Sequence, residues 1–335
     1  MKIPRRVSFK RAFTLMELMV AMAITAIIVT VLVSITSTAV DTWNRSRAEL
    51  RAARQAKVMV DTMAKDFESM VVRRGNSFEW LRATSPSKVP TSPKLTSTNS
   101  SDLIFFCAPT DRYNGAYVNS ASSSSYLGDV SCVGYRSLYL DPLNSTVTPF
   151  QTFVLKRYLS SPSTYPASDT SLSSGNPHKS DDTFSKLLGT TDLGTAFSGY
   201  LSSLETNPAT SADYVCENVF QFVVTFNVEV MHNTGGTSYS IVTVGVPVGQ
   251  SIGQITTSFR VMGNTITTPF NPPSSCTPAE LAAGRVASVD ISLTIISDAG
   301  MDQLRSPRPL TTSQQAKFLA QNSFNYTKRV QVPSM

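Results

Sequence analysis

Two hydrophobic regimes follow one another along this chain. From Leu18 to Val40 there are 23 residues without a charge. Wound as a helix they reach roughly 34 Å, enough to cover the ~30 Å hydrocarbon core of a bilayer. Beyond Val40 charges alternate with apolar residues, and Trp43, Leu50, Ala53, Ala56, Val60, Met63, Phe67 and Met70 recur at steps of three, four or seven. That spacing places them on one helical stripe, which needs a partner surface to bury it. No Pro or Gly interrupts residues 41 to 74. Arg73 and Arg74 suit a helix C-terminus, and Gly75 suits the left-handed residue that closes it. One helix from Phe13 to Arg74, roughly 93 Å long, is therefore predicted. Asp61 and Lys65 are expected to pair on its polar face.

After Gly75 the period changes from 3.6 to 2. Residues 84 to 101, rich in Ser, Thr, Pro and Lys, read as an irregular connection. Strands are predicted at Leu103 to Cys107, Val130 to Tyr139, Phe150 to Tyr158, Val215 to Val230, Tyr239 to Val246 and Val286 to Ile296, each enriched in β-branched or aromatic residues. Phe220, Phe222, Val224, Phe226 and Val228 alternate with their neighbours, and Asn233-Thr234-Gly235-Gly236 supplies the turn of a hairpin. Val286, Val289, Ile291, Leu293 and Ile295 suit a central strand. A short helix from Thr311 to Gln321 and a last strand from Phe324 to Val332 complete the set. The fold class is α+β, with the outer half of the long helix packed on an antiparallel sheet. The Ser-rich segments Asn119 to Tyr126, Ser160 to Asp182 and Ser198 to Asp213 are expected to be poorly ordered surface loops.

Charge changes the picture at the N-terminus. The 335-residue chain carries 29 Lys and Arg against 23 Asp and Glu. Five of the basic residues, Lys2, Arg5, Arg6, Lys10 and Arg11, lie in the first twelve positions with no acid among them, so residues 13 to 335 hold 24 basic against 23 acidic groups. The excess is a leader that fixes orientation by the positive-inside rule, not a nucleic-acid-binding face on the head. Glu17 is what an ordinary anchor does not explain. An ionised carboxylate at the edge of an apolar span costs several kcal/mol unless a cation meets it. A cut between Ala12 and Phe13 would start each chain with an α-amino group one turn before its own Glu17. Helices packed with a small axial offset would then set one chain's ammonium against the next chain's carboxylate.

In these residues the sequence resembles the type IV pilins and type II secretion pseudopilins. It has a short Lys/Arg-rich leader, a small residue at Ala12 where Gly is commoner, then Phe13, and a Glu five positions into the mature chain. The resemblance implies cleavage between Ala12 and Phe13 by a membrane prepilin peptidase, N-methylation of Phe13, and an assembly role for Glu17. The family's helix-kinking Pro is missing, since no Pro occurs between Pro4 and Pro86. Farther along, Val133-Gly134-Tyr135, Leu155-Lys156-Arg157, the strand from Val219 to Phe226 and that from Val289 to Leu293 follow the order seen in J-type minor pseudopilins and W-type minor pilins. The basic end Lys328-Arg329-Val330-Gln331-Val332 is similar to that of type C prepilin-like cassette proteins. The expected organisation is a leader (1–12), a transmembrane and assembly helix (13–40), an amphipathic helix (41–75), a linker (84–101) and a β-rich head (102–335).

Membrane insertion with an extracytoplasmic head would place Cys107, Cys132, Cys216 and Cys276 where disulfides persist. The four allow three pairings. Cys107 with Cys132, on neighbouring early strands, is the favoured single pair, and four buried free thiols are the alternative. Their wide spacing argues against a zinc site. His178 and His232 stand without a motif, and no nucleophile elbow, zinc-protease or phosphate-loop signature is present. Asp181-Asp182 lacks the ligand pattern of a calcium loop. Neither catalysis, a cofactor nor a metal is expected. The expected function is a minor pilin or pseudopilin subunit of a type IV pilus or type II secretion pseudopilus. It would sit in the bacterial inner membrane by a single pass, with other pilin-like subunits, a prepilin peptidase and an assembly platform as partners. The alternative is a monomeric anchored binding protein for carbohydrate, secretion substrate or DNA, with Tyr113, Tyr117 and Tyr126 on its contact surface.

Overall fold

The structure, a computed structural model, describes residues 14–73, 75–86, 89–97, 99–108, 130–141, 151–160, 187–197, 214–235, 238–249, 255–306 and 310–333. The class is α+β, as its periodicities predict. The chain forms two compact units, Met1–Leu50 and Arg51–Met335. Helix α1 spans Leu15–Glu68. In the first unit its large apolar side chains are exposed, from Leu15 to Leu50.

Among the described residues of the second unit, the end of α1 packs with eleven strands in two antiparallel sheets. One has the order β5-β4-β3-β2-β1-β8-β9 and the other β11-β10-β6-β7. The strands are β1 (Glu79–Thr84), β2 (Asp102–Cys107), β3 (Ser131–Leu140), β4 (Thr152–Ser160), β5 (Tyr214–Glu217), β6 (Val219–Gly235), β7 (Ser238–Val248), β8 (Ser258–Met262), β9 (Thr265–Thr267), β10 (Arg285–Ile296) and β11 (Ser323–Gln331). Among the described residues the unit also has the short helices α2 (Pro278–Ala282), α3 (Asp298–Arg305) and α4 (Thr312–Asn322).

The main core joins α1 to both sheets. Phe67 of α1 stacks on Phe105 of β2 with ring centroids 4.6 Å apart, and Phe226 of β6 stacks on Phe259 of β8 at 4.3 Å. A second cluster collects Phe153, Phe220 and Ile296 beneath Met301 and Leu304 of α3 and Phe318 of α4. Burying an aromatic or large aliphatic side chain contributes ~1.5–3 kcal/mol, so these two clusters dominate the head's stability.

Several expectations need correction. Helix α1 ends at Glu68, not Arg74, because the chain beyond it pairs with β2: Met70 bridges Cys107 and the Val71 N–H donates to Phe106 O at 2.8 Å. Gly75 does take a positive φ of 79°, but in the turn entering β1. The buried stripe begins at Ala52, and Trp43 and Leu50 are 65% and 59% exposed. Asp61 pairs with Lys328 of β11 at 2.7 Å, not with Lys65.

The predicted strand from Val215 to Val230 is two strands. Asn218, at φ 63°, turns the chain from β5 in one sheet to β6 in the other. Asn tolerates this left-handed conformation, and its side chain is held by Thr152 at 2.7 Å and Asp298 at 2.9 Å. β1, β8, β9, α2 and α3 were not predicted. β1 lies between β2 and β8, so the head is entered well before residue 102.

Candidate assembly site at the start of helix α1

Thr14 and Glu17 close the N-terminus of α1 on each other. The Thr14 N–H and hydroxyl both donate to Glu17 Oε2 at 2.9 Å, while the Glu17 N–H donates to Thr14 Oγ1 at 3.2 Å. This is a capping box, which satisfies two helix-end donors reciprocally. The carboxylate also lies at the positive end of the helix macrodipole. Both bonds that the carboxylate accepts in this cap end on Oε2. Glu17 therefore has a local structural role beyond any contact with another chain. The T-x-x-E spacing at 14–17, directly before an apolar run, is the signal from which sequence reasoning could have read it.

Farther along, Thr25, Thr30, Thr36, Thr38 and Thr42 each donate their hydroxyl to the carbonyl four residues earlier, at 2.7 to 3.0 Å. Such bonds satisfy the polar atoms of an otherwise apolar helix without outside partners, which lipid requires. Ala12, Phe13 and the basic leader lie outside the described residues, as do His178, Asp181, Asp182, Tyr113, Tyr117, Tyr126 and most of the three Ser-rich segments.

In the second unit, the residues of two short sequence matches converge on α1. Asp66, 1% exposed, accepts two bonds from Arg157 of β4, at 2.8 Å from Nε and 2.7 Å from Nη2. The Tyr135 hydroxyl donates to the same carboxylate. Burial foremost, and then the Asp66 charge, hold the Tyr135 hydroxyl well above the usual phenol range. Gly134 is needed for a different reason: a Cβ there would lie 2.3 Å from the Phe197 ring. Two further buried acids are matched with arginine, Asp102 with Arg136 at 2.8 Å and Glu79 with Arg260 at 2.7 Å. These pairs tie α1 to β4, β2 to β3 and β1 to β8. Asp66, an acid inside the buried part of the stripe, was not singled out from sequence.

All four cysteines are buried and none is disulfide-bonded, so the favoured Cys107–Cys132 bridge is not formed and the unbridged alternative is what the structure has. They do lie on neighbouring strands, but Cys107 faces Ser131 and Cys132 faces Phe106. With side chains alternating along a strand, this one-residue offset points the two thiols to opposite faces of the sheet. Burial raises both Cys132 and Cys216 thiols, the latter to about 12. His232 Nδ1 lies 3.0 Å from Glu280 Oε2. That carboxylate also accepts the Asn233 and Thr277 N–H groups. Those two backbone donors, and then His232, lower its pKa to about 2. This acid pins a hairpin to α2 and is a poor proton acceptor near neutrality. Among the described residues no group of His, Cys, Asp and Glu side chains is arranged to hold a metal.

Among the described residues, α1 is the one helix long and apolar enough to cross a membrane. No curated protein and no solved structure matches the chain. Residues 8–33, however, match the model of the prokaryotic N-terminal methylation motif, a stretch that takes in Ala12, Phe13 and the capped start of α1. By that motif the chain is similar to the prepilin-type subunits, the type IV pilins and pseudopilins.

Proposed function

We propose that this chain is a minor pilin or pseudopilin. Its leader directs insertion into the bacterial inner membrane with the head outside the cytoplasm. Prepilin peptidase cuts between Ala12 and Phe13 and Phe13 is N-methylated. The helix from 13 to 40 then joins a type IV pilus or type II secretion pseudopilus beside other pilin-like subunits on an assembly platform.

The observation that carries this reading is the placement of Glu17, within the matched motif, one turn beyond the junction and at the mouth of an apolar helix. An amine released at Phe13 of one subunit and the Glu17 carboxylate of its neighbour neutralise each other in surroundings where either alone is costly. The exposed apolar surface of α1 from Leu15 to Val40 favours burial in lipid first and against sister helices afterwards. The large two-sheet head suits a minor subunit, because an irregular bulky domain packs poorly in a long regular filament.

Intact-mass and N-terminal analysis of the protein from its native membrane tests this. The expected mature chain begins at methylated Phe13, and a chain still starting at Met1 overturns the reading. A monomeric anchored binding protein differs in its response to Glu17→Ala, which would leave anchoring intact without any loss of assembly.

A further inference from the structure

We propose that β7 is a pairing edge, and that its occupant is β7 of a second copy of this chain. The two sheets end in four outer strands, β5, β9, β11 and β7. Exposed strand edges invite pairing with other chains, and proteins blunt them by shortness or by charge. β5 and β9 have four and three residues. β11 carries Lys328 and Arg329. β7 has neither, and its one proline, Pro247, lies at its far end, where Thr256 bonds to it. It is 11 residues long, and no charged residue occurs from Gly236 to Phe259.

The hydrogen-bond pattern shows which groups face outward. Gly249 N donates to Thr256 O, and Thr256 N donates to Pro247 O, both at 2.9 Å. The main chain at 247 and 249 therefore points away from β6. Register with β6 is unbroken from Val224↔Val248 to Asn233↔Tyr239, so the same parity turns the main-chain groups of Gly245, Thr243, Ile241 and Tyr239 outward. Among the described residues no main-chain bond ends on that stretch of the edge. Its side chains are open as well: Tyr239 is 62% exposed, Ile241 72%, and Met231, across from Ile241, 67%. Beside them lies a groove of about 610 Å³ between the hairpin and α2, lined by Met231, Ile241, Ala279 and Ala283 together with Glu229, Glu280 and Arg285.

The strand is complementary to itself. Antiparallel pairing about Val242 sets Ile241 against Thr243 of the second copy and Tyr239 against its Gly245, an aromatic over a glycine. No like charges meet, and each outward-facing residue exchanges main-chain bonds with another outward-facing one. The two four-stranded sheets would become one, and the exposed Met231, Ile241 and Tyr239 of both copies would form one continuous apolar surface. This inference does not rest on the assembly reading of α1.

The test uses the full chain in detergent micelles. About a twofold axis at Val242 the two Cα atoms would lie ~4.5 Å apart, within disulfide reach. Mild oxidation of Val242→Cys is expected to give a covalent dimer, with the wild type, whose own cysteines are buried, as control. Thr243→Pro removes an outward N–H without touching the β6 ladder. It is expected to convert a dimer, by sedimentation equilibrium, to a monomer with unchanged near-ultraviolet circular dichroism. A monomeric wild type, a dimer that survives Thr243→Pro, or a Val242→Cys chain that cross-links only to other proteins overturns the proposal. A dimer held through α1 would survive Thr243→Pro and so counts against it.

Discussion

Arg157 of β4 grips Asp66 of α1 through two hydrogen bonds of 2.7 and 2.8 Å, in a site where the acid is almost wholly buried and the arginine nearly so. The pair ties the end of the long helix to the larger sheet, next to the Phe67–Phe105 stack. A buried charge stripped of its partner is far more costly than a pair removed together. Arg157→Met should therefore destabilise the head by about 3–5 kcal/mol. Arg157→Met with Asp66→Leu should cost clearly less than the sum of the single changes. Chemical denaturation followed by near-ultraviolet circular dichroism measures all three, and simple additivity would show that the pair does not act as a unit.

Gly134 and Phe197 are expected to be coupled in the same way, through shape instead of charge. Gly134→Ala drives a methyl into the Phe197 ring and should cost about 1–3 kcal/mol by overpacking. Adding Phe197→Ala removes the clash, so the Gly134→Ala penalty should disappear in that background even though the cavity left by the ring lowers stability itself. An equal Gly134→Ala penalty in both backgrounds would place the glycine's role in the backbone.

Two functions of Glu17 can be separated by the choice of substitution. Gln keeps the reciprocal cap with Thr14 but loses the charge, whereas Ala loses both. Thr14→Ala should weaken the first turn by about 1 kcal/mol while leaving the carboxylate in place. On the proposed reading, Glu17→Gln abolishes incorporation into filaments with the helix start intact by amide exchange, and Thr14→Ala does the reverse. Filaments that take up Glu17→Gln at the wild-type level would argue that the cap, not the charge, is what matters.

Acid should loosen the β6–β7 hairpin from α2. The Glu280 pKa falls from an ordinary 4.5 to about 2 in the folded chain, held down by the Asn233 and Thr277 N–H groups and then by His232. A depressed carboxylate contributes stability that is fully present above the unfolded value and is lost as pH falls through the folded one. The stability difference between wild type and Glu280→Gln should therefore shrink as pH falls from 4.5 to 2. Paired thermal melts across that range give the comparison, and a difference that persists unchanged at pH 2 would remove the carboxylate from the account.

The four cysteines should resist modification in the folded chain. Burial raises the Cys132 and Cys216 thiols far above the range in which thiolate forms near neutrality. Alkylation should proceed only on unfolding, and mobility on a gel should be the same with and without reductant. Rapid labelling of Cys132 under native conditions would show that the β2–β3 register opens.

Sequence alone determined what short-range pattern can encode. An uncharged run longer than a bilayer core, an acid at its edge, an amphipathic continuation and alternating strands are each contained within a window of a few to twenty residues. α1 and most of the strands, the β6–β7 hairpin included, were accordingly legible. Tertiary structure decided what depends on distant partners. The helix gives way at Glu68 because β2 offers Met70 and Val71 a ladder to join. One apolar run becomes two strands because Asn218 finds Thr152 and Asp298 to hold a left-handed turn. Cys107 and Cys132 miss each other by one residue of register, and an inconspicuous Asp66 becomes the meeting point of Tyr135 and Arg157. Periodicity fixes which face of a segment is apolar, but the pairing of segments far apart in the chain is settled only when their surfaces and charges meet in three dimensions.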